Sequence, residues 1–461
     1  MSEANNQLQN EASTGKEVKL KERQVVKVEN PSEVIEDVIE QLDDYGGFDL
    51  FCIMEENFDN LDPDTEAVKD QFLTESEWKV NREDLLENAT LLLDILSQDG
   101  TITELVEGCE NKVKETEDLL NQNLGKALDK TKDLEQAYWN VGMFFKNVNS
   151  NKLDNLKIMN VSREAVRDLN DIKFFNAVES ILQKGFHSFD LSNNISNLVL
   201  PGWLGSKQMV YKWGEMVHKY KAMLLTDYRD YKLDRAIRNL KNKDNLAGSE
   251  AMLQHVVVAY NQIIAREKEE KAGEKNDMKA SAAAAVAGLM YDTDSAPLSQ
   301  TRAGVKHGRI REAKATDQEL LDFETASIDE QSLVPMIFSK NNVYAWGNRT
   351  LFNGNNIGLQ DYAIVKTFDW VGKVLMNFLT EECFLNFSGK LKKELQDNII
   401  NFLNDNTGSD KLIKQFNLKR IYQDEKKDII IDLEMTPFFA AKNYYVKLTG
   451  HEGNDFDTEI E

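Results

Sequence analysis

Proline, cysteine, histidine and long apolar runs are all scarce in this chain, and each shortage excludes something. There are 6 prolines and 3 cysteines among 461 residues. Cys52, Cys109 and Cys383 lie far apart, form no CxxC pair and leave an odd count, so there is no disulfide framework. A reducing cytoplasm is the expected setting. The five histidines, His187, His218, His255, His307 and His451, are scattered and no HExxH occurs, which argues against a metal site. No run of about 18 apolar residues exists, so no transmembrane helix is expected. Residues 1–21 are polar with mixed charge and lack the apolar stretch of a signal peptide.

Nucleotide and hydrolase motifs are missing as well. Gly125-Lys126 has no partner glycine and runs into Ala127, so it is not a P-loop. Neither GxGxxG nor GxSxG occurs. Asp62-x-Asp64-x-Glu66 has the start of a calcium loop without its glycine or terminal glutamate, and reads as the acidic start of a helix. The expectation is a protein with no catalytic residues, no metal and no cofactor. Positive charge is also in deficit: Lys+Arg number 55 against Asp+Glu 79, a formal net charge of −24. That balance argues against nucleic acid or an anionic membrane as partner and leaves a basic protein surface open.

What is present is a chain with 41% hydrophobic residues, enough for real cores, whose length suggests two or three domains. Residues 1–16 are polar. Val18, Leu20, Val26 and Val28 then alternate loosely, as an exposed strand or extended arm does. Pro31 and Ser32 start a helix whose face is Val34, Val38, Ile39 and Leu42, closed by Gly46-Gly47. Residues 48–148 read as helical. Leu85, Leu86, Leu92, Leu93 and Leu96 mark one helix, and Ile102, Leu105, Cys109, Val113, Leu120 and Leu124 a long second one. Gly108 and Gly125 interrupt it, which favours a hairpin over a coiled coil. A helix closes near Trp139. Residues 156–162 read as a strand ending in Ser162, the cap of a helix beginning Arg163-Glu164-Ala165.

Beyond that point the spacing predicts helices over 209–225 and 251–270, a turn over 198–204 and a small-residue core helix over 280–289. Residues 306–314 carry Lys306, His307, Arg309, Arg311 and Lys314, a basic patch that is either a solvated loop or a docking loop for an acidic neighbour. Residues 333–338 and 342–346 have strand bias. Ile364, Phe368, Val371, Leu375 and Phe378 share one helical face, and Phe384, Phe387, Leu391, Leu395 and Ile399 a second. Ile429, Ile431, Leu433 and Met435 alternate in a strand, Pro437 breaks it, and Tyr444, Val446 and Leu448 make a second. The fold class is therefore α+β or α/β: a helical N-terminal region, mixed α/β domains, and extended strands at the chain ends.

Residues 342–351 read Asn-Val-Tyr-Ala-Trp-Gly-Asn-Arg-Thr-Leu. Trp346, Gly347, Arg349, Thr350 and Leu351 resemble the Trp-Gly-x-Arg-Thr-Leu signature of contractile tail-sheath proteins. Trp139 near a helix end, followed by Asn160-Val161-Ser162, resembles the large sheath subunit of type VI secretion systems, TssC (VipB). Arg349 has no second catalytic group nearby in sequence, so it is expected to bridge structural elements, and Trp346 to anchor a core or an interface.

The resemblance implies a non-enzymatic cytoplasmic polymer. Its expected partners are a small sheath subunit (TssB, VipA), further copies of the chain, an inner tube of Hcp hexamers, a baseplate, and the recycling ATPase ClpV acting on an N-terminal helix, here residues 31–44. The expected domain plan, from the residue pattern and the resemblance together, is a flexible arm at 1–30, a helical region at 31–150, an α/β sheath domain with helical insertions at 151–330, a C-terminal tail-sheath domain at 331–448, and a loose acidic tail at 449–461. A one-subunit phage-like sheath and a non-polymerising helical scaffold are the rival readings.

Overall fold

The computed structural model describes residues 76, 79–96, 101–148, 156–168, 172–243, 245–292, 294–442, 446–450 and 456–460. The arm with Val18, Leu20, Val26 and Val28, the helix at 31–44, the acidic 62–66 segment and Tyr444 lie outside them. Two compact units divide the chain between residues 120 and 121.

The first unit holds α1 (Lys79–Leu96), where the leucine spacing predicts it, and the start of α2 (Ile102–Asn147), which continues into the second. A reciprocal cap starts α2: Glu104 N–H donates to Thr101 Oγ1 and Thr101 N–H to the Glu104 carboxylate. The helix is long, as its spacing predicts, and runs through both Gly108 and Gly125. Gly125 has a packing role: a Cβ there would lie 2.2 Å from the carbonyl oxygen of Ala272.

In the second unit, residues 156–162 are not a strand. Leu156 is 42% and Ile158 63% exposed, and the segment pairs with no other strand among the described residues. Alternation alone does not make a ladder. Ser162 does cap α3 (Arg163–Arg167), accepting from Ala165 N–H. Then follow α4 (Ile172–Phe186), β1 (Asn197–Leu200), α5 (Lys207–Lys219), β2 (Met223–Asp227), α6 (Leu233–Asn242), β3 (Val256–Tyr260), β4 (Ile263–Arg266), β5 (Met278–Ala280), α7 (Ala282–Tyr291), α8 (Gly304–His307), β6 (Arg309–Ile310), β7 (Ala315–Thr316), α9 (Asp322–Glu330), β8 (Val334–Ser339) and β9 (Asn342–Ala345).

The helix expected over 209–225 stops at Lys219. Lys221 turns the chain with φ +52, and the remainder is β2. The helix expected over 251–270 is a short 3-10 turn, Ala251–His255, followed by β3 and β4. Val256-Val257-Val258-Ala259-Tyr260 is buried on both sides. Such a run shows no period of two and reads equally well as a buried helix.

The main sheet has the order β1-β2-β3-β8-β9-β6, with β1, β2, β3 and β8 parallel and β9 and β6 antiparallel to their neighbours. Side chains alternate between two cores. Leu224, Val256 and Val258 face one that holds α4, α5 and α6. Met223, Leu225, Val257 and Ala259 face another that holds the end of α2, α7 and the start of α10 (Tyr362–Glu381). The small sheet β5-β4-β7 adjoins the second core through Ile263, Ala265 and Ala280.

A third core lies further along α10, with α11 (Gly389–Asp405), β10 (Gln415–Gln423) and β11 (Ile429–Thr436). Sequence patterning overlooks β10 because a bulge between Leu418 and Arg420 rephases it, and Phe416, Leu418 and Ile421 still reach one core. Ile431, Leu433 and Met435 pack there as well, while Ile429 is 38% exposed. Beyond it, β12 (Val446–Gly450) pairs antiparallel with β13 (Phe456–Ile460), so the tail expected to be loose carries a strand.

The small-residue helix α7 is buried from Ala282 to Met290. A Cβ at Gly288 would meet the Phe144 carbonyl oxygen of α2 at 2.4 Å, so backbone approaches backbone. Overpacking of this kind costs about 1–3 kcal/mol. Gly288→Ala is expected to lower the melting temperature of the subunit, measured by calorimetry; Gly108→Ala, in open space, is expected not to lower it.

Candidate functional site

The hairpin β8–β9 turns on Lys340 and Asn341, both with positive φ (50° and 59°), the two-residue turn that suits twisted strands. It delivers residues 346–352 beneath the ends of several elements. Trp346 N–H donates to Pro335 O at 2.8 Å. At Gly347 a Cβ would sit 3.1 Å from Pro335 Cδ, so this position favours glycine for closeness. Thr350 is fully buried. Its N–H donates to Gln360 O at 2.9 Å and its hydroxyl to Leu359 O at 2.7 Å. Leu351 N–H donates to Val256 O of β3 at 2.9 Å. Asn348 donates through Nδ2 to Asp361, whose other oxygen accepts Ala363 N–H and caps α10. Burial pushes the Asp361 carboxyl up, opposed by these hydrogen bonds.

Arg349 donates from Nε to Asp329 Oδ2 at 3.1 Å and from Nη1 to Gln360 Oε1. Asp329, in α9, also accepts Lys442 Nζ at 3.1 Å on both oxygens. The loop therefore joins the central sheet, α9, the first turn of α10 and the chain after β11. Trp346 is 40% exposed, so its ring is not enclosed in a core. Trp139, 207 residues earlier in the numbering, is elsewhere: its indole N–H donates to Glu135 Oε1 at 3.2 Å, and Glu135 and Glu274 together hold Arg266. Hydrogen bonding to Arg266 holds both carboxyls below the usual carboxylate range.

Three polar features had no signal in the sequence. Asp227, fully buried at the end of β2, accepts from Gly202 N–H at 2.7 Å, Ala283 N–H at 2.8 Å and the Ser281 hydroxyl. It staples α7 to the sheet, and burial raises its pKa. His218 Nδ1 lies 3.0 Å from His255 Nδ1, and His255 Nε2 lies 2.7 Å from Asp369 of α10. Lys366 and Lys373 of α10 reach Asn197 and Asn194, each at 2.7 Å. These partners stand 25 to 179 residues apart, beyond any motif. A cleft of about 360 Å³ is lined by charged and polar side chains including Asp230, Lys232, Lys268, Lys275, Asp277 and Lys279, without the apolar wall of a small-molecule site. Among the described residues no group of three or more His, Cys, Asp or Glu is placed to hold a metal, and no helix is long and apolar enough to cross a membrane.

The α10 contact makes a prediction about pH. Burial, then the neighbouring Lys373 and Arg302, depress Lys366 from 10.5 to about 7. Burial depresses Lys373 to about 8, and burial with His255 depresses His218 from 6.5 to about 4. In each case the unfolded chain binds more protons than the folded one between the two values, so stability falls as pH falls through that window. The melting temperature is expected to drop from pH 10 to pH 7, and again from pH 6.5 towards 4. Lys366→Met is expected to flatten the alkaline limb; an unchanged slope in that variant removes Lys366 as the cause.

No curated protein matches the chain. Solved structures similar to it include the anti-feeding prophage helical sheath in its contracted state, at 15% identity with a TM-score of 0.48, covering 68% of this chain and 82% of that one. The contracted sheath of the extracellular contractile injection system PVC gives 13% identity, a TM-score of 0.42 and coverages of 52% and 68%. A chain of the anti-feeding prophage baseplate gives 16% identity and a TM-score of 0.41, over 53% of this chain and 66% of that one. Three family models match in succession: the TssC/VipB-like N-terminal region at residues 35–124, the type VI secretion system TssC/VipB central domain at 126–353, and the TssC/VipB-like C-terminal domain at 361–460. The chain belongs to the TssC/VipB family of the type VI secretion system.

Proposed function

We propose that the chain is the large subunit of a two-component contractile sheath. It pairs with a small subunit of the TssB (VipA) kind, and the pairs stack as a helical tube around an inner tube of Hcp, rising from a baseplate. Contraction of the sheath propels the inner tube, and a ClpV-type ATPase recycles the contracted form. The chain acts by packing, in the cytoplasm, without a catalytic centre or cofactor of its own.

The observation that carries this reading is the unfinished state of the C-terminal strands. Both β10–β11 and β12–β13 are two-stranded, with no third strand among the described residues. An isolated hairpin is marginal in water, and an open edge invites another strand. Heterologous contacts that do not close produce a helical filament. Strand addition between subunits suits Ile429, Ile431 and Leu433 of β11, Val446 and Leu448 of β12, and the alternating Val18, Leu20, Val26 and Val28. A second feature supports a helical partner. On α2, Leu120, Leu124, Leu134, Tyr138, Val141 and Phe145 are each 40% exposed or more, and recur at helical spacing along one stripe. The stripe is the surface proposed for the small subunit, and the half-exposed Trp346 beside Gly347, Arg349 and Thr350 is proposed as an interface anchor. The division at residues 30, 150, 330 and 448 is retained as the proposed domain plan.

Coexpression with a small subunit of the TssB (VipA) kind, followed by negative-stain microscopy, tests the reading. Striated tubes are expected from the pair and none from Val446→Asp, Leu448→Asp, whose helix content by far-UV circular dichroism stays unchanged. Tubes formed by this chain alone support the one-subunit sheath instead. Normal tubes from the double variant remove β12 from assembly.

A further inference from the structure

The chain leaves β11 at Thr436, passes Pro437 and reaches Lys442 before the C-terminal hairpin β12–β13. Lys442 ends on Asp329 of α9, the acid that holds the signature loop's Arg349: its ammonium is 3.1 Å from both Asp329 oxygens, and Arg349 Nε is 3.1 Å from Oδ2. One carboxylate is thus shared by two cations from segments 93 residues apart. Asp361 lies close enough for the Lys442 charge to act on it. Asp329, already paired with Arg349, is therefore the seat, and Lys442 is the second cation on it.

We propose that Asp329 and the signature loop are a docking seat for the root of the chain's own C-terminal arm, a clip that holds the arm in cis and lets it go. The sharing sets the strength of the clip. Asp329 is already committed to Arg349, and the Lys442 side chain is 39% exposed. Exposed pairs of this kind shift an equilibrium by no more than about fivefold and are screened by salt. A clip that weak biases where the arm departs without locking it, so the arm remains available for exchange onto a neighbour. An arm secured by a buried pair would have no such freedom. This use of the clip rests on the proposed sheath assembly, whereas the clip itself is a property of the single subunit.

The test is hydrogen–deuterium exchange on the full-length subunit held with its small partner below the concentration of polymerisation. Peptides covering 437–442 and 446–460 are followed in wild type, Lys442→Glu and Lys442→Arg, at low salt and at 1 M NaCl. Lys442→Glu is expected to speed exchange of both peptides by about two- to fivefold at low salt, the range such a pair allows. Wild type at 1 M NaCl is expected to approach the glutamate variant, and Lys442→Arg to keep the slow exchange. Peptides from β3 and α7 serve as the control for unfolding and are expected to be unchanged. Equal exchange of the arm peptides in wild type and Lys442→Glu overturns the clip. Failure of wild type to form tubes by microscopy overturns the sheath reading and leaves the exchange result standing.

Discussion

The fold depends on a buried stretch of chain that is neither helix nor strand finding partners for its amides. Residues 348–352 leave the end of β9 and pass beneath the sheet, where water cannot satisfy them. Unpaired polar groups there would each cost about 1–3 kcal/mol. They are paired instead with the 3-10 turn Ile357–Gln360, with Val256 at the start of β3 and with the cap of α10. Threonine at 350 supplies a hydroxyl that both donates to Leu359 O and accepts Phe352 N–H. These bonds fix the first turn of α10, whose far half carries the third core. One loop thereby couples two hydrophobic cores and the C-terminal module built on the second and third.

Electrostatics follow an arrangement that the net charge hides. The surface is acidic in sum, yet several charged groups sit inside and are held by geometry. Arg302 is 4% exposed and donates to the carbonyls of Asp292 and Ala296, not to a carboxylate. Asp227 has its charge spread over backbone amides and a serine hydroxyl. Charge-assisted bonds to main-chain groups are stronger than neutral ones and place a helix end accurately. The basic run near residue 310 has a different position: Lys306, Arg309, Arg311 and Lys314 are exposed around β6, the two-residue edge of the main sheet. Charge on a short edge strand discourages edge-to-edge pairing with another chain.

Much of the outer architecture was legible in the sequence, because its periodicities are clean. The strand bias before Lys340, the small-residue run of α7 and the stripes of α10 and α11 each correspond to one element. The centre of the main sheet was not legible. β2 and β3 are buried on both faces, so their residues form apolar blocks without alternation. β10 was hidden by its bulge and residues 156–162 misled because exposed alternation has no ladder to join. At the site, the structural character of Arg349 could be argued from the lack of a nearby acid–base group, but Asp329, twenty residues upstream and within another helix, could not be named. Hydrogen-bond partners chosen by tertiary folding leave no spacing to read.

The pairing of β3 has a consequence for how the protein is made. β3 lies between β2 and β8, and its Ala259 and Tyr260 are opposite Val334 and Pro335. A ribosome adding about 5–20 residues per second takes roughly 4 to 15 s to travel from one partner to the other. For that interval one side of the valine run has no neighbour, while β4, β5 and α7 are already emerging. The insertion between the strands is thus on hand to shelter the face that Val257 and Ala259 share with Val286 and Met290 before the sheet is complete. The order of synthesis, as well as the final packing, favours placing the alanine helix between β3 and β8.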